Sequence, residues 1–453
     1  MSQNEINIAK NNLKRLETLV YLAQKAGADQ ADAVFFSSES ESVSWRLGKM
    51  EDVERSESSD LGLRVIIGKK QAIVSSSDLG QANLDTLVER ALDMARNAPE
   101  DPWCGLADKN LLAGKIPEGL DLYDDTKIAA EKLKEMARET EELALEVDGI
   151  TNSQGASAGT SATSIALCNS DGFAQTYQSS SFSLSVSVIA GSGTGMERDY
   201  SYSSKRHLED LDTPANIARE ATERALRRLN PQKVKTTQVP VIFDPRVSRT
   251  LVGHLASAVN GQSIARGTSF LKESLNRRIF PADIRIIDDP HICRGVSSRP
   301  FDGEGVANGK MDLIRDGVLQ NWILDSSSAR QLGLQTNGHA SRGTSSPPHP
   351  SSSNLYLAAG KPSPAELMAD IKSGFYVTEL IGMGVNGITG DYSRGASGFW
   401  IENGELTYPV NEITIAGNLK DMFLCLSAAS DLELKYGTDA PTLRIEKMML
   451  AGS

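Results

Sequence analysis

The sequence predicts an α+β protein of two domains, and three observations favour this fold class. The chain has 453 residues, which is enough for two or three domains with a sizeable core. Its first half gives the order helix, strands, helix twice. Its second half is rich in Gly, Ser and Pro and holds many short strand-like segments. We therefore expect an N-terminal domain of duplicated helix–antiparallel strands–helix units at 1–232, and a β-rich C-terminal domain with long loops at 238–453.

The first unit begins with an amphipathic helix. Leu13, Leu16, Val20 and Ala23 fall on one helical face, and Gly27 can take the left-handed conformation that ends a helix. A second helix, with apolar positions from Leu84 to Met94, ends before Pro99. Between the helices the sequence predicts strands at Ala33–Ser37, Ser42–Arg55 and Leu61–Ile67, then a Gly68-Lys69 turn into Ala72–Ser75.

The second unit repeats this order. A charged helix is predicted over Thr126–Val147, and strands follow it. The clearest strand is Ser181–Ala190, where apolar residues alternate with serines, as expected of a strand with one buried face. Gly191–Gly195 reads as a hairpin turn, and a closing helix begins after Thr213 with Pro214 at its first position.

The second domain follows a polar linker at Pro231–Gln238. Val239–Phe243 is a predicted strand, and Asp244-Pro245 begins a helix that runs to about Val259. The segment Asn337–Asn354 is predicted to be a long loop, a feature that is more often functional than incidental. Further strands are predicted at Ile284–Ile287, Gly317–Leu324, Asn354–Ala358, Phe375–Leu380, Gly398–Ile401 and Glu412–Ile415.

Composition excludes several classes of protein. A net charge of -12 opposes nucleic-acid binding, because that affinity comes from Lys and Arg contacts to phosphates. The four cysteines are widely spread and form no CxxC pair, so neither a disulfide framework nor a zinc ribbon is predicted. The N-terminus lacks the pattern of a signal peptide, and no apolar run approaches the length of a membrane span. We expect a cytoplasmic protein that binds neither nucleic acid nor membrane.

Known catalytic motifs are incomplete in this sequence. None of the five histidines has another four residues away, so the usual helical zinc motif is missing. The segments His339–Gly343 and Gly395–Gly398 only partly match a nucleophile elbow. A hydrolase with an unrecognised site stays open as a hypothesis, with Ser341 and Ser397 as the first serines to test.

Two segments are candidates for binding. Gly390–Trp400 combines small residues with Asp391, Arg394 and Trp400, and we interpret it as the wall of a peptide or partner groove. The alternative is a tight loop in which Asp391 and Arg394 pair with each other. Phe301–Val306 carries an acidic pair that could bind a cation or a peptide amine, and the alternative there is a plain glycine-rich turn.

The second domain resembles the TldD/TldE (PmbA) family, also described as modulators of DNA gyrase. The N-terminal half fits the family by architecture and length. The matching segments are Val241–Pro245, Arg266–Ser269, Phe301–Gly305, Asn337–Ala340 with Arg342-Gly343, Gly390–Glu405, Tyr408–Val410, Glu412–Leu419 and Pro441–Ile445.

The resemblance implies a chain without a metal site. TldD-like members carry His-Glu-x-x-x-His on the first helix of this domain and a cysteine near the C-terminus. Aligned on Arg266–Ser269, the two histidine positions fall on Val252 and Ser257, and the glutamate position falls on Gly253. The segment that would hold the cysteine has none. The chain is therefore similar to the TldE/PmbA branch, and no catalytic residue, metal ligand or cofactor is expected in it.

The resemblance also implies a function. TldE-like proteins pair with a TldD-like catalytic subunit, which holds the zinc, in a cytoplasmic heterodimeric metalloprotease that degrades or trims unfolded peptides. We expect this chain to be the non-catalytic subunit, with a homodimer of the isolated chain left open. The alternative is a stand-alone regulatory or binding protein, such as a gyrase-modulator type homodimer, without peptidase activity.

Overall fold

The computed structural model describes residues 3–452 and confirms the predicted α+β class. The first half forms one antiparallel sheet of six strands in the order β3-β2-β1-β4-β5-β6. Its elements are α1 (Gln3–Lys25), β1 (Gln30–Arg46), β2 (Lys49–Ile67), β3 (Lys70–Ser76), α2 (Gln81–Asn97), α3 (Ala130–Leu145), β4 (Ile150–Asn169), β5 (Ala174–Ala190), β6 (Glu197–Lys205) and α4 (Pro214–Arg227).

The helices cover this sheet in two pairs. In one cluster, Leu16 of α1 and Ala91 of α2 pack with the buried residues of β1–β3. In the other, Leu133 of α3 and Ala221 of α4 pack with buried residues of β1, β4 and β5. Each pair of helices thus covers one region of the sheet, as the repeated helix–strands–helix pattern predicts. The domain division at 232 and 238 stays a prediction.

The predicted strand Ser42–Arg55 is wrong, because the chain reverses in the middle of it. Leu47 and Gly48 form the turn between β1 and β2, and both have positive φ, at 47° and 75°. Two consecutive positive φ angles match the right-handed twist of a hairpin. This turn is hard to recognise from the sequence, because Leu rarely takes this conformation and no Asn or Asp precedes the glycine.

The second half is built around a sheet in the order β16-β15-β14-β7-β19-β17, in which β16 also pairs with β19. This extra pairing closes five strands into a ring around the main core. The elements are β7 (Thr237–Phe243), α5 (Pro245–Ala258), α6 (Gly261–Ala265), β8 (Ile286–Asp288), β9 (Met311–Arg315), β10 (Val318–Leu319), α7 (Ser326–Gln331), β11 (Ala340–Ser341), β12 (His349–Pro350), β13 (Leu355–Leu357), α8 (Pro364–Met368), β14 (Ser373–Ile381), β15 (Asp391–Glu402), β16 (Glu405–Asn418), α9 (Leu419–Leu424), β17 (Leu426–Ala428), β18 (Thr438–Asp439) and β19 (Leu443–Ala451).

Two predictions for this half need correction. The alternative interpretation of Gly390–Trp400 as a tight loop is wrong, because residues 391–400 belong to strand β15, which is paired on both sides by β14 and β16. Its glycines allow that close pairing, since a Cβ on Gly398 would lie 1.9 Å from the carbonyl oxygen of Tyr376. Of the predicted strand Gly317–Leu324, only Val318–Leu319 forms a strand, and Ile323 forms an isolated parallel bridge with Asn260. Within residues 3–452, no helix is both long and apolar enough to cross a membrane.

Candidate functional site

Helix α5 is fixed near its N-terminus by hydrogen bonds to two other parts of the domain. Asp244 caps the helix by accepting a hydrogen bond from the Arg246 amide at 2.9 Å, and Pro245 fits the first helical position. The Tyr376 hydroxyl of β14 donates to Asp244 at 2.9 Å. Ser248 donates to the Pro441 carbonyl at 2.8 Å. These contacts position the far end of α5 beside the connection from β14 to β15.

A cavity of about 290 Å³ lies between that end of α5 and the β14–β15 connection. Its lining is largely apolar, with Phe270, Met383, Val385 and Leu419 among its walls. The polar side chains in the lining are His254, Ser257, Ser263, Thr268, Ser269 and Arg394. A concave cavity that combines apolar walls with polar side chains is the usual form of a small binding site.

His254 is the titratable base of this cavity. Burial, and next the positive charge of Arg394, lower the pKa of His254 below its ordinary value of 6.5, so the ring is neutral at physiological pH. Its Nε2 atom is buried and has no hydrogen-bond partner in the described part of the chain. The ring packs edge-on against Tyr392, with the two ring centres 6.1 Å apart. His254 is therefore a neutral residue of the lining whose buried Nε2 atom has no partner in residues 3–452.

Arg394 supplies the positive charge in the lining of this cavity. It lies in β15, and its side chain lines the cavity although the residue is only 9% exposed. Its one hydrogen bond within residues 3–452 runs from Nε to the Ile381 carbonyl, at 3.4 Å. No described carboxylate lies within ion-pair distance of it, and no Asp or Glu lines the cavity. A mostly buried guanidinium without a counter-charge is an energetically costly arrangement.

The residues at the positions of the family's zinc motif do not fit a metal ion. Val252 is buried in the apolar core, and Gly253 has no side chain. The Ser257 hydroxyl donates to the Gly253 carbonyl of its own helix, at 3.1 Å. Over residues 3–452 there is no group of three or more His, Cys, Asp or Glu that could hold a metal ion. Zinc binding usually takes three or four such donors, so we derive no metal chemistry for this cavity.

The structure separates the three residues predicted from the Gly390–Trp400 segment. Arg394 lines the cavity. Asp391 is exposed at the start of β15, where hydrogen bonds from Thr389 (2.6 Å) and Asn418 (3.0 Å) lower the pKa of its carboxyl. It does not pair with Arg394. Trp400 pairs with Phe375 near the other end of β15. A binding role for each of the three stays a prediction.

Sequence reasoning missed His254 and Tyr392 as members of this site. His254 has no second histidine four residues away, so the sequence gives no reason to select it. His254 belongs to the site because it lies on the α5 face that packs towards β15, and the sequence alone does not reveal that packing.

The acidic pair of Phe301–Val306 is part of a turn, as the alternative interpretation held. Asp302 accepts hydrogen bonds from the amides of Glu304 (2.9 Å), Val306 (2.8 Å) and Ala340 (3.0 Å). Both acidic residues are buried, Asp302 to 1% and Glu304 to 6% exposure. Asp302 also lines a cavity of about 120 Å³, together with Arg299 and Arg342, so a binding role for the acidic pair stays a prediction.

Comparison with protein families places the chain in a metallopeptidase-type family. Models described as PmbA/TldA metallopeptidase domain 1, central domain and C-terminal domain match residues 31–95, 120–229 and 236–452. The chain belongs to the PmbA/TldD family, which includes TldE.

Relatives and solved structures agree with this assignment. The chain is 40% identical over 427 residues to Metalloprotease PmbA of Escherichia coli O157:H7, covering 94% of this chain and 93% of the relative. It is 38% identical over 440 residues to a PmbA homolog of Haemophilus influenzae, covering 96% and 94%. The crystal structure of a candidate modulator of DNA gyrase from Bacteroides thetaiotaomicron matches with a TM-score of 0.90, 28% identity and coverage of 98% and 99%. TldE from Thermococcus kodakarensis, at 21% identity, shares the fold with a TM-score of 0.86 over 97% and 100% of the two chains.

Proposed function

We propose that this chain is the non-catalytic, TldE/PmbA-like subunit of a cytoplasmic heterodimeric zinc metalloprotease that degrades or trims unfolded peptides. The observation that carries the proposal is the family's zinc motif falling on Val252, Gly253 and Ser257 in a chain from a metallopeptidase family. Zinc and the catalytic base would then come from a TldD-like partner. This chain would complete the peptide cavity and stabilise the partner.

An exposed apolar surface supports a role in assembly. Ile381, Met383 and Ile388 lie at the end of β14 and in the connection to β15, and they are 59%, 91% and 63% exposed. Large apolar side chains grouped on one connection mark an interaction surface more often than a free surface. Met383 also lines the cavity that contains His254 and Arg394, so a partner that covers this connection would also cover that cavity.

The test is reconstitution with a TldD-like protein from the same genome. Each chain alone and the mixture are assayed for bound zinc by elemental analysis, for assembly by size-exclusion chromatography with light scattering, and for cleavage of an unfolded peptide. We expect a heterodimer, zinc only on the partner, and chelator-sensitive cleavage only when both chains are present. Stoichiometric zinc and chelator-sensitive cleavage in this chain alone would contradict the proposal.

A stand-alone regulatory protein is the second candidate, and the description of the Bacteroides neighbour as a modulator of DNA gyrase favours it. The same reconstitution experiment distinguishes the peptidase subunit from the stand-alone regulatory protein. If the isolated chain is a homodimer that takes up no TldD-like partner, and the mixture has no peptidase activity, the regulatory function replaces the first proposal.

A further inference from the structure

The β14–β15 cavity contains a positive charge that the described part of the protein leaves unneutralised. Arg394 is nine-tenths buried, and of its three guanidinium nitrogens only Nε makes a hydrogen bond within residues 3–452. A buried arginine normally has a carboxylate partner, as Arg64 and Arg342 both do at Asp32. The two terminal amino groups of Arg394 therefore remain free to bind a planar, bidentate anion.

The rest of the lining restricts that anion to one with an apolar body. The groups that face the cavity are the neutral His254 and Ser257 of α5, the hydroxyls of Ser263, Thr268 and Ser269, and the apolar walls. No second cation lines it, so a phosphate with two negative charges would be only partly neutralised. A single negative charge matches Arg394. An apolar group attached to the anion would pack against the apolar walls, which are Phe270, Met383, Val385 and Leu419.

We propose that this cavity binds the free carboxylate of an apolar peptide C-terminus, with the carboxylate at Arg394 and the last side chain against Phe270 and Met383. A volume of about 290 Å³ is at the lower end for small-ligand sites (roughly 300–1,000 Å³), so it takes a terminal residue and not a long segment. The choice of a peptide over another apolar carboxylate rests on the proposed function. The carboxylate preference does not.

The experiment uses the full chain without any partner. Binding of acetyl-Gly-Ala-Leu with a free C-terminus, of the same peptide as its C-terminal amide, and of octanoate is measured by calorimetry. We expect the free acid to bind at least tenfold more tightly than the amide, because only the acid carries a negative charge that can neutralise Arg394. Equal binding of acid and amide, or no binding of the acid, overturns the proposal. Binding of octanoate without binding of the peptide acid overturns the choice of peptide.

Two variants locate the site. Arg394→Met should lower the affinity for the free acid at least tenfold and leave the weak binding of the amide unchanged. Arg55→Met is the matched control, since Arg55 is exposed on β2 and its side chain is 70% accessible. Wild-type affinity for the acid in Arg394→Met contradicts the assignment. If that variant fails to fold, the comparison of acid with amide on the wild-type chain still decides the question.

The outcome is independent of the proposed heterodimer. A chain that binds the peptide acid and does not assemble with a TldD-like partner would retain this site and lose the proposed function. A chain that assembles and supports cleavage without binding the acid would retain the function and lose the site.

Discussion

Arg342 of the C-terminal domain donates a hydrogen bond from Nη1 to Oδ1 of Asp32, on β1 of the N-terminal sheet, at 2.7 Å. The two residues are 310 positions apart in the chain, and both side chains are 2% exposed. Arg64 of β2 donates from Nε to the other carboxylate oxygen at 3.0 Å. Burial alone would raise the pKa of Asp32, but the charges of Arg342 and then Arg64 outweigh it and lower that pKa. The long loop 337–354 is thereby joined to the first sheet by a buried ion pair.

Asp32→Ala should destabilise the protein strongly. It leaves two buried guanidinium groups without their carboxylate, and breaking a buried pair costs about 3–5 kcal/mol. Urea unfolding followed by circular dichroism measures the change. Because the pKa of Asp32 is lowered in the folded state, its contribution is present above about pH 4 and is lost on acidification. Glu118→Ala, in the surface pair with Lys115, is the control and should change little. Equal effects of the two variants would contradict this account.

Gly62→Ala should loosen the same contact between the sheet and the loop. A Cβ at Gly62 of β2 would lie 2.2 Å from the carbonyl oxygen and 2.7 Å from the Cα of Thr344, so the backbone of the loop would have to move. We expect a loss of about 1–3 kcal/mol in the free energy of unfolding, and faster cleavage of the loop 337–354 in limited proteolysis. Gly114→Ala, where nothing lies within 4 Å of the added Cβ, should leave both measurements unchanged. Unchanged proteolysis of the loop in Gly62→Ala would argue against the contact.

His339 should act as a structural clamp of that loop. Its Nε2 lies 3.0 Å from Oδ1 of Asp288 and its Nδ1 lies 2.9 Å from the Asn337 carbonyl, so both ring nitrogens face acceptors. Burial raises the pKa of Asp288, but His339 and Ser353 outweigh burial and lower it. His339→Ala removes one partner of a fully buried carboxylate that Ser353 also contacts, and it should cost about 3–5 kcal/mol in urea unfolding.

The exposed His349 in the same loop provides the control for His339. His349→Ala should leave stability near that of the wild type. Similar stabilities of the two variants would contradict the clamp. Because both nitrogens of His339 are engaged and Ser341 makes no side-chain hydrogen bond to it, the arrangement also gives no support to a serine nucleophile at Ser341.

Local features were readable from the sequence, and long-range pairs were not. The alternation in Ser181–Ala190 and the Asp244-Pro245 and Thr213-Pro214 helix starts depend on neighbouring residues, and the structure confirms them. The pairing of Arg342 with Asp32 and the approach of Arg394 to His254 depend on how loops close over long stretches of chain. Nothing in the local pattern encodes those approaches, which is why the sequence predicted Arg394 as a binding residue but grouped it with Asp391 and Trp400.

Glu304 should make the stability of the protein fall as the pH rises through the neutral range. Burial, and next the charge of Asp302, raise the pKa of Glu304 from 4.5 to about 7. Between these two values the folded state binds more protons than the unfolded state, so the free energy of unfolding decreases with rising pH and levels off above about pH 7. The decrease is of the order of 1–3 kcal/mol.

Glu304→Gln tests this pH dependence directly. The Glu304 carboxylate accepts a hydrogen bond from the Ser326 amide at 2.8 Å, and a glutamine carbonyl can replace that acceptor without the charge. We expect the variant to match the wild type near pH 4.5 and to be more stable at pH 8, measured by urea unfolding at a series of pH values. Glu118→Gln, on the surface, should retain the wild-type profile. Parallel stability curves for Glu304→Gln and wild type would show that Glu304 is already ionised when folded. The acid-side loss assigned to Asp32 lies below pH 4, so the two effects occupy separate windows and each can be read without the other.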